Sequence, residues 1–173
     1  MTEKKERIIE SALKLFATEG YASTSTSKVA KHAGVSEGLI FRHFKNKEGL
    51  LQAVMEQSRE SARHMMADVI MTSEPSALIQ KFIELPFTID EDHYEMWRLT
   101  YALKWQMDAY DDSFYQPLKL ALNHAFRQLG YSDPNAEVEL LLMFMDGAAT
   151  SILLHPPKDK MEIRKALKNK YNL

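Results

Sequence analysis

The stretch TSTSKVAKHAGVSEGLIFRHF (residues 24–44) decides the fold of this chain. Its apolar residues recur at helical spacing on both sides of Gly34, which predicts two short helices joined by a tight turn. Gly34 supplies the positive φ of the turn, Val35 fills the small core between the helices, and Ser36 begins the second helix as its N-cap. The pattern predicts a helix-turn-helix.

Further helices flank this motif. Apolar residues recur at helical spacing over residues 8–16, and Gly20 ends that first helix. Ser25 or Thr26 can cap the second helix. Asn46 caps the fourth, which is long because its apolar face continues for many turns.

The rest of the chain is also predicted to be helical. Helices are expected over about residues 75–86, 91–110, 113–129, 134–155 and 158–171. Prolines stand mostly at their starts and stops, where proline is tolerated. We predict an all-α protein of about nine helices, with a helix-turn-helix head over residues 1–46 and a ligand-binding and dimerisation body over residues 47–173.

Composition narrows the classes of function. The 173 residues include no cysteine, which excludes disulfides and thiolate metal sites and favours a cytoplasmic location. The N-terminus lacks the apolar core of a signal peptide, and no apolar run is long enough to cross a bilayer. We therefore expect a cytoplasmic protein with no membrane partner and no cofactor.

Charge is unevenly distributed along the chain. The net charge is −2, but residues 28–47 hold five Lys or Arg residues against one acid, Glu37. A basic patch of this kind attracts phosphate, while the acidic remainder keeps the protein soluble.

Residues 8–51 closely resemble the DNA-binding domain of the tetracycline-repressor (TetR) family of bacterial regulators. The resemblance lies in the pairs Leu15–Phe16 and Gly20–Tyr21, in T-S-x-x-x-V-A-x-x-A-G-V-S (residues 24–36) and in F-x-H-F-K-N-K-E-x-L (residues 41–50). The later helices resemble the family's body only in number and length. The resemblance implies a homodimer that binds a palindromic operator in double-stranded DNA. Repression until a small molecule releases the protein is the commoner arrangement in the family, with activation and co-repression as the alternatives.

The resemblance also implies which residues contact DNA. The helix over residues 36–43 is expected to enter the major groove. Thr26 would hold phosphate at the start of the preceding helix, and Lys47 would do so with the free amides of its own helix. The expected DNA-binding residues are Thr26, Ser27, Lys28, Ser36, Glu37, Gly38, Ile40, Phe41, His43, Lys45 and Lys47.

Some of these residues have other interpretations. Phe41 stands where the family commonly has tyrosine, and it either packs or faces a thymine methyl. Lys45 is either a phosphate contact or a solvated base. Ser27, which is short, and Glu37, which is acidic, leave open a head that no longer binds DNA.

Glu37 and Gly38 are unusual at the front of a DNA-facing helix. The carboxylate favours the helix dipole, and in the groove it is suited to accept a hydrogen bond from a cytosine amino group. Gly38 lets the backbone approach the DNA closely. We expect residues 37–41 to carry sequence preference and residues 43–47 to carry affinity.

The segment over residues 94–110 is apolar on nearly all sides and holds both tryptophans, which predicts a buried helix. Its aromatic and methionine side chains suit an adaptable apolar pocket, with simple core packing as the alternative. By analogy with the family, we expect a pocket for an apolar or amphipathic effector. Its expected lining is Met66, Trp97, Tyr101, Trp105, Phe114 and Tyr115.

The helix over residues 134–155 is a candidate dimer helix, because Gly147 and the following alanines would let another helix approach closely. The alternative is the core helix of a monomer. The expected interface is Leu141, Met145, Ala148, Ala149 and Ile152. We expect the long fourth helix to link the pocket to the head.

An enzyme is the rival class. The acidic run DEDHYE (residues 90–95) can in principle hold a metal ion, but helix capping by Asp90 explains it more simply. The sequence contains no HExxH, phosphate-binding loop or nucleophile signature. We therefore expect no catalytic residues and no metal site.

Overall fold

The computed structural model describes residues 3–104 and 115–173. Within these residues the chain forms nine α-helices, one short 3-10 helix and no strand, which confirms the predicted all-α class. The elements are α1 (Glu3–Glu19), α2 (Thr26–Ala33), α3 (Glu37–Phe44), α4 (Lys47–Ile70), α5 (Pro75–Thr88), the 3-10 helix (Glu91–His93), α6 (Tyr94–Lys104), α7 (Gln116–Gln128), α8 (Pro134–Leu154) and α9 (Lys160–Lys170). None of these helices has the length and apolar character needed to span a membrane.

Contacts divide the chain into two compact units. The first unit is Met1–Ala62 with Asp92–Asp108, and the second is Arg63–Glu91 with Ala109–Leu173. The division falls within α4, so this helix contributes residues to both units. A functional boundary between residues 46 and 47 stays a prediction, since the compact units reflect packing alone.

The first unit is held together by one apolar core. Its fully or nearly fully buried side chains come from five helices and include Ile8, Ala12, Phe16, Val29, Ile40, Leu50, Val54, Leu99 and Leu103. Each fully buried Val, Leu, Ile or Phe side chain contributes about 1.5–3 kcal/mol. Phe16, Val29 and Phe44 are buried, and Tyr21 and Leu39 pack partly buried against this core. Because Leu99 and Leu103 belong to this cluster, α6 is part of the head's core.

The turn between α2 and α3 has the predicted chemistry. Gly34 adopts φ 65°, ψ 40°, and its amide donates to the Lys31 carbonyl. The Val35 amide donates to the Ala30 carbonyl over 3.0 Å, which completes a Schellman motif. A residue with a Cβ atom would be strained at this φ, so the turn depends on Gly34.

The second unit has its own core and an ionic link to its last helix. Its buried cluster includes Val69, Ile79, Phe82, Ile83, Leu118, Leu122, Phe126, Val138 and Leu141. On α9, Arg164 donates to Glu84 Oε1 over 2.6 Å through Nη2, and Lys168 donates to the same oxygen over 3.3 Å. These contacts fix α9 to α5.

The structure corrects the predicted dimer face of α8. Leu141, Ala149 and Ile152 are buried within the single chain, so they cannot meet a partner. Met145 and Ala148 are partly buried, and Met145 packs against the core of the second unit. Because α8 is apolar on nearly all sides, its sequence did not indicate which side faces inward.

Candidate nucleic-acid interface

The helix α3 has one buried and one exposed side. Ile40 is 0% exposed and Phe44 is buried, so the expected contact of Ile40 with DNA is wrong and its side chain belongs to the core. Phe41 is 46% exposed, which places its ring at the surface. Gly38 is exposed too, and a Cβ added there would meet no atom within 4 Å. The outer side of α3 is therefore accessible, and at Gly38 no side chain covers the backbone.

The serines near the two helix starts differ in their roles. Ser25 caps α2, because its Oγ accepts a hydrogen bond from the Lys28 amide over 3.1 Å. Ser36 has the extended backbone of an N-cap residue, but its hydroxyl makes no capping hydrogen bond to α3. Ser36 is therefore the N-cap residue of α3, as predicted, but its side chain does not cap the helix. Both Ser27 and Ser36 are exposed.

Thr26 and Glu37 contact each other across the helix-turn-helix. The Thr26 hydroxyl donates to Glu37 Oε1 over 2.7 Å, and both residues are partly buried. Thr26 is the first residue of α2 and Glu37 is the first residue of α3. The carboxylate therefore joins the starts of the two helices that are expected to face DNA.

Lys47 is held in place by the chain segment that precedes α2. Its ammonium group donates to the Ala22 carbonyl over 3.1 Å and lies 4.4 Å from the centre of the Tyr21 ring. Such a cation–π contact contributes about 0.5–1 kcal/mol at an exposed site. Burial raises the pKa of Tyr21, and the Glu48 carboxylate raises it further, so the phenol stays neutral. Since an ammonium group has three donors, two of them remain for a phosphate.

The connection between α3 and α4 is tight. Lys45 adopts φ 69°, ψ −47°, and the Asn46 amide donates to the Phe44 carbonyl over 2.9 Å, which is a γ-turn. The Asn46 side chain then caps α4 by accepting from the Gly49 amide over 2.7 Å. A Cβ on Gly49 would lie only 2.0 Å from the Phe44 carbonyl oxygen. The turn therefore requires glycine at this position.

The other basic groups of the head lie at the surface. Arg42, His43 and Lys45 are exposed. Lys28 is exposed as well, but its ammonium group forms an ion pair with Glu19, which neutralises part of its field. The accessible positive charge thus lies mainly at the end of α3 and the start of α4.

Two residues of this site were not among those expected from the sequence. Thr24 is buried, and its hydroxyl shares its one proton between the Gly20 carbonyl at 2.9 Å and the Leu15 carbonyl at 3.3 Å, which fixes the segment before α2. Gly49 permits the close approach of α4 to Phe44. The only sequence signal for Gly49 was a glycine inside the first turn of a helix, where it lowers helix stability.

The expected effector residues do not all fall within the described residues. Trp97 and Tyr101 stack on α6 with ring centres 6.0 Å apart, and Trp97 Nε1 is buried with no acceptor among the described residues. Met66 and Tyr115 pack partly buried against the core of the second unit. Trp105 and Phe114 lie outside the described residues.

No group of three or more His, Asp or Glu side chains is placed to hold a metal ion in the part of the chain that the structure describes.

Residues 8–54 match the model of a family described as bacterial regulatory proteins, tetR family. The uncharacterized HTH-type transcriptional regulator YerO of Bacillus subtilis (strain 168) is 34% identical over 96 residues, which are 54% of this chain and 33% of that protein. The match to the similar regulator YvkB covers 30% of its length. The chain thus spans about a third of the length of these relatives.

Solved structures match nearly the whole chain. A regulatory protein of the tetR family from Rhodococcus RHA1 has a TM-score of 0.78 at 18% identity, covering 98% of this chain and 95% of that one. A regulator from Saccharomonospora viridis in complex with choline has a TM-score of 0.75 at 20% identity, covering 99% and 96%. At such identities the likeness shows a shared fold.

Proposed function

We propose that the chain is a transcriptional regulator of the TetR family and that its head, which matches the family's model over residues 8–54, binds double-stranded DNA. The observation that carries this proposal is the outer side of α3. This side offers an exposed aromatic ring at Phe41 and open backbone at Gly38, while Ile40 anchors the helix from behind. A helix presented in this way fits the major groove.

Affinity for DNA would come from the end of α3 and the start of α4. Lys47, held by Ala22 and Tyr21, is positioned in advance, so little side-chain entropy is lost when it meets a phosphate. His43 and Lys45 are exposed beside the same turn. Their contacts with phosphate would be independent of sequence and would weaken with salt.

We propose that two copies assemble through the outer side of α8. Leu140 is 43% exposed, Met143 71% and Leu154 61%, and Gly147 is exposed between them. These positions recur at helical spacing, and an exposed apolar stripe of this kind marks an interface. A twofold dimer would present two heads to a palindromic operator, with the half-site spacing set by the protein.

The effector is proposed to be a small amphipathic molecule that binds beside α6. The regulator from Saccharomonospora viridis holds choline on the same fold. Here the buried Trp97 Nε1 lacks an acceptor among the described residues, and an unmet donor costs about 1–3 kcal/mol. A ligand oxygen would remove that cost, which favours an amphipathic over a purely apolar effector. Because α6 also carries Leu99 and Leu103 of the head's core, a ligand that shifts it would act on the head.

A DNA titration tests the proposed function. The labelled duplex is taken from the DNA upstream of the gene that encodes this chain. Fluorescence anisotropy should show binding to this duplex that weakens steeply as the salt concentration rises. Lys47→Ala should weaken binding to every duplex by a similar factor and lower the salt dependence by about one phosphate contact. Lys165→Ala, an exposed lysine of α9, is the matched control and should bind as the parent does.

A head that has lost DNA binding is the second candidate function. It is favoured by one observation, because the Glu37 carboxylate occupies the Thr26 hydroxyl that would otherwise meet phosphate. Binding that is absent, or that does not respond to salt or to Lys47→Ala, would support this alternative and reject the regulator.

A further inference from the structure

The hydrogen bond from Thr26 to Glu37 joins two residues with different expected partners on DNA. Thr26 begins the helix that would meet the phosphate backbone, and Glu37 begins the helix that would meet base edges. Their side chains lie 2.7 Å apart and are partly buried, so the contact belongs to the folded head. We propose, resting on the DNA-binding function above, that this pair makes the phosphate contact of Thr26 conditional on the base that Glu37 meets.

The Thr26 hydroxyl has a single proton to donate. A threonine hydroxyl has one donor, and here that donor is given to Glu37 Oε1. While this bond holds, Thr26 can offer an incoming phosphate only lone pairs. The negative carboxylate beside it repels the phosphate as well. In this state the Thr26 hydroxyl donates no hydrogen bond to phosphate.

Cytosine is the base best suited to draw Glu37 away from Thr26. Cytosine presents a lone amino donor in the major groove, whereas guanine and thymine present acceptors that repel a carboxylate. Adenine presents a donor beside an acceptor, which suits an amide better than a carboxylate. A carboxylate can accept from two donors at once, so release of Thr26 requires Glu37 to turn into the groove. Where cytosine draws the carboxylate away from Thr26, the Thr26 proton is free for phosphate, and one hydrogen bond is exchanged for two.

This arrangement links two kinds of contact that are usually separate. Phosphate contacts normally position a protein on DNA and carry no sequence information. Here the hydrogen bond from Thr26 to phosphate forms only where Glu37 accepts from a cytosine. The neutral Thr26 hydroxyl therefore contributes to sequence specificity. At other bases the intramolecular bond persists and the phosphate contact is lost.

The test begins with selection from a randomised duplex library by the intact protein. The parent should enrich cytosine at one position in each half-site. Glu37→Gln should move that preference to adenine, because a glutamine amide pairs with adenine N6 and N7. Glu10→Gln, which neutralises an exposed acid on α1, should leave the selected sequence unchanged.

Titration of two duplexes then tests the conditional contact directly. On the duplex that has cytosine at the selected position, Thr26→Val should bind about tenfold more weakly than the parent, which is the effect of one charge-assisted hydrogen bond. On a duplex in which another base replaces that cytosine, Thr26→Val should bind within about twofold of the parent. Thr26→Ser keeps the hydroxyl and should behave as the parent on both. Thermal unfolding of each variant shows that the head is folded.

The outcomes separate this inference from the proposed function. Equal losses on both duplexes in Thr26→Val, or an unchanged preference in Glu37→Gln, would overturn the conditional contact and leave DNA binding intact. A parent protein that enriches no sequence and binds no duplex in a salt-dependent way would overturn both.

Discussion

Replacing Gly49 with alanine should destabilise the head, although alanine is the better helix former. The added Cβ would lie 2.0 Å from the Phe44 carbonyl oxygen and 3.2 Å from its carbonyl carbon. The oxygen cannot swing aside, because it belongs to the backbone and accepts the Asn46 amide at 2.9 Å. The clash therefore requires the junction between α3 and α4 to move apart.

The expected cost follows from two opposing terms. Overpacking of this kind costs about 1–3 kcal/mol, and a backbone obstacle places it near the upper end. Alanine has the higher helix propensity, which stabilises the helix by up to about 1 kcal/mol relative to glycine. The net loss is about 2 kcal/mol, which for a chain of this length lowers the Tm by about 4–8 °C.

Thermal unfolding followed by circular dichroism, at one protein concentration, measures this change. Gly38→Ala is the matched control, because the same substitution on α3 meets no atom within 4 Å. It should stabilise the head by about 1 kcal/mol and raise the Tm by about 2–4 °C. A Gly49→Ala variant that melts at or above the parent, or shifts in the same direction as Gly38→Ala, would refute the steric reasoning.

Three further predictions concern other parts of the chain. Lys45→Gly should raise the Tm by about 2–4 °C by relieving its positive φ while weakening DNA binding, whereas Lys45→Ala should only weaken binding. Burial opposes ionisation of Glu84, but hydrogen bonds and charges of Arg164 and Lys168 outweigh it and hold its pKa below the ordinary value. The carboxylate therefore stabilises the fold at neutral pH and stops doing so as the pH falls through that lowered pKa. Glu84→Gln should lose about 1–2 kcal/mol in urea unfolding at pH 7 and much less at pH 3, and an equal loss at both would count against the ion pair. Met143→Glu should convert a dimer to a monomer in sedimentation velocity, and a dimer that persists would exclude this side of α8.

The sequence allowed most helices to be predicted because their boundaries depend on local chemistry. Gly34 ends α2 through its own φ, and Asn46 caps α4 through an amide three residues away. Ser36 shows the limit of this reasoning. It occupies the N-cap position of α3, yet its hydroxyl makes no capping bond. Residue type and position predicted the element but not the direction of the side chain.

The faces of the helices were harder to predict where apolar residues surround the axis. Ile40 was expected at the DNA and is buried, while its neighbour Phe41 is exposed. On α8, Leu141 and Ile152 point inward and Met143 points outward. A helix that is apolar on most sides has no sequence period strong enough to choose its buried side, so packing against other helices decides it.

The sequence by itself determined the helical class, the helix-turn-helix and the concentration of basic residues near Lys47. These follow from periodicity, capping and charge, which act over a few residues. Only the tertiary structure decided that Thr26 donates to Glu37, eleven residues away, and that α4 approaches the Phe44 carbonyl closely enough to require Gly49. Such contacts depend on how helices cross, and crossing is set by the whole core at once, so no local pattern of residues encodes them.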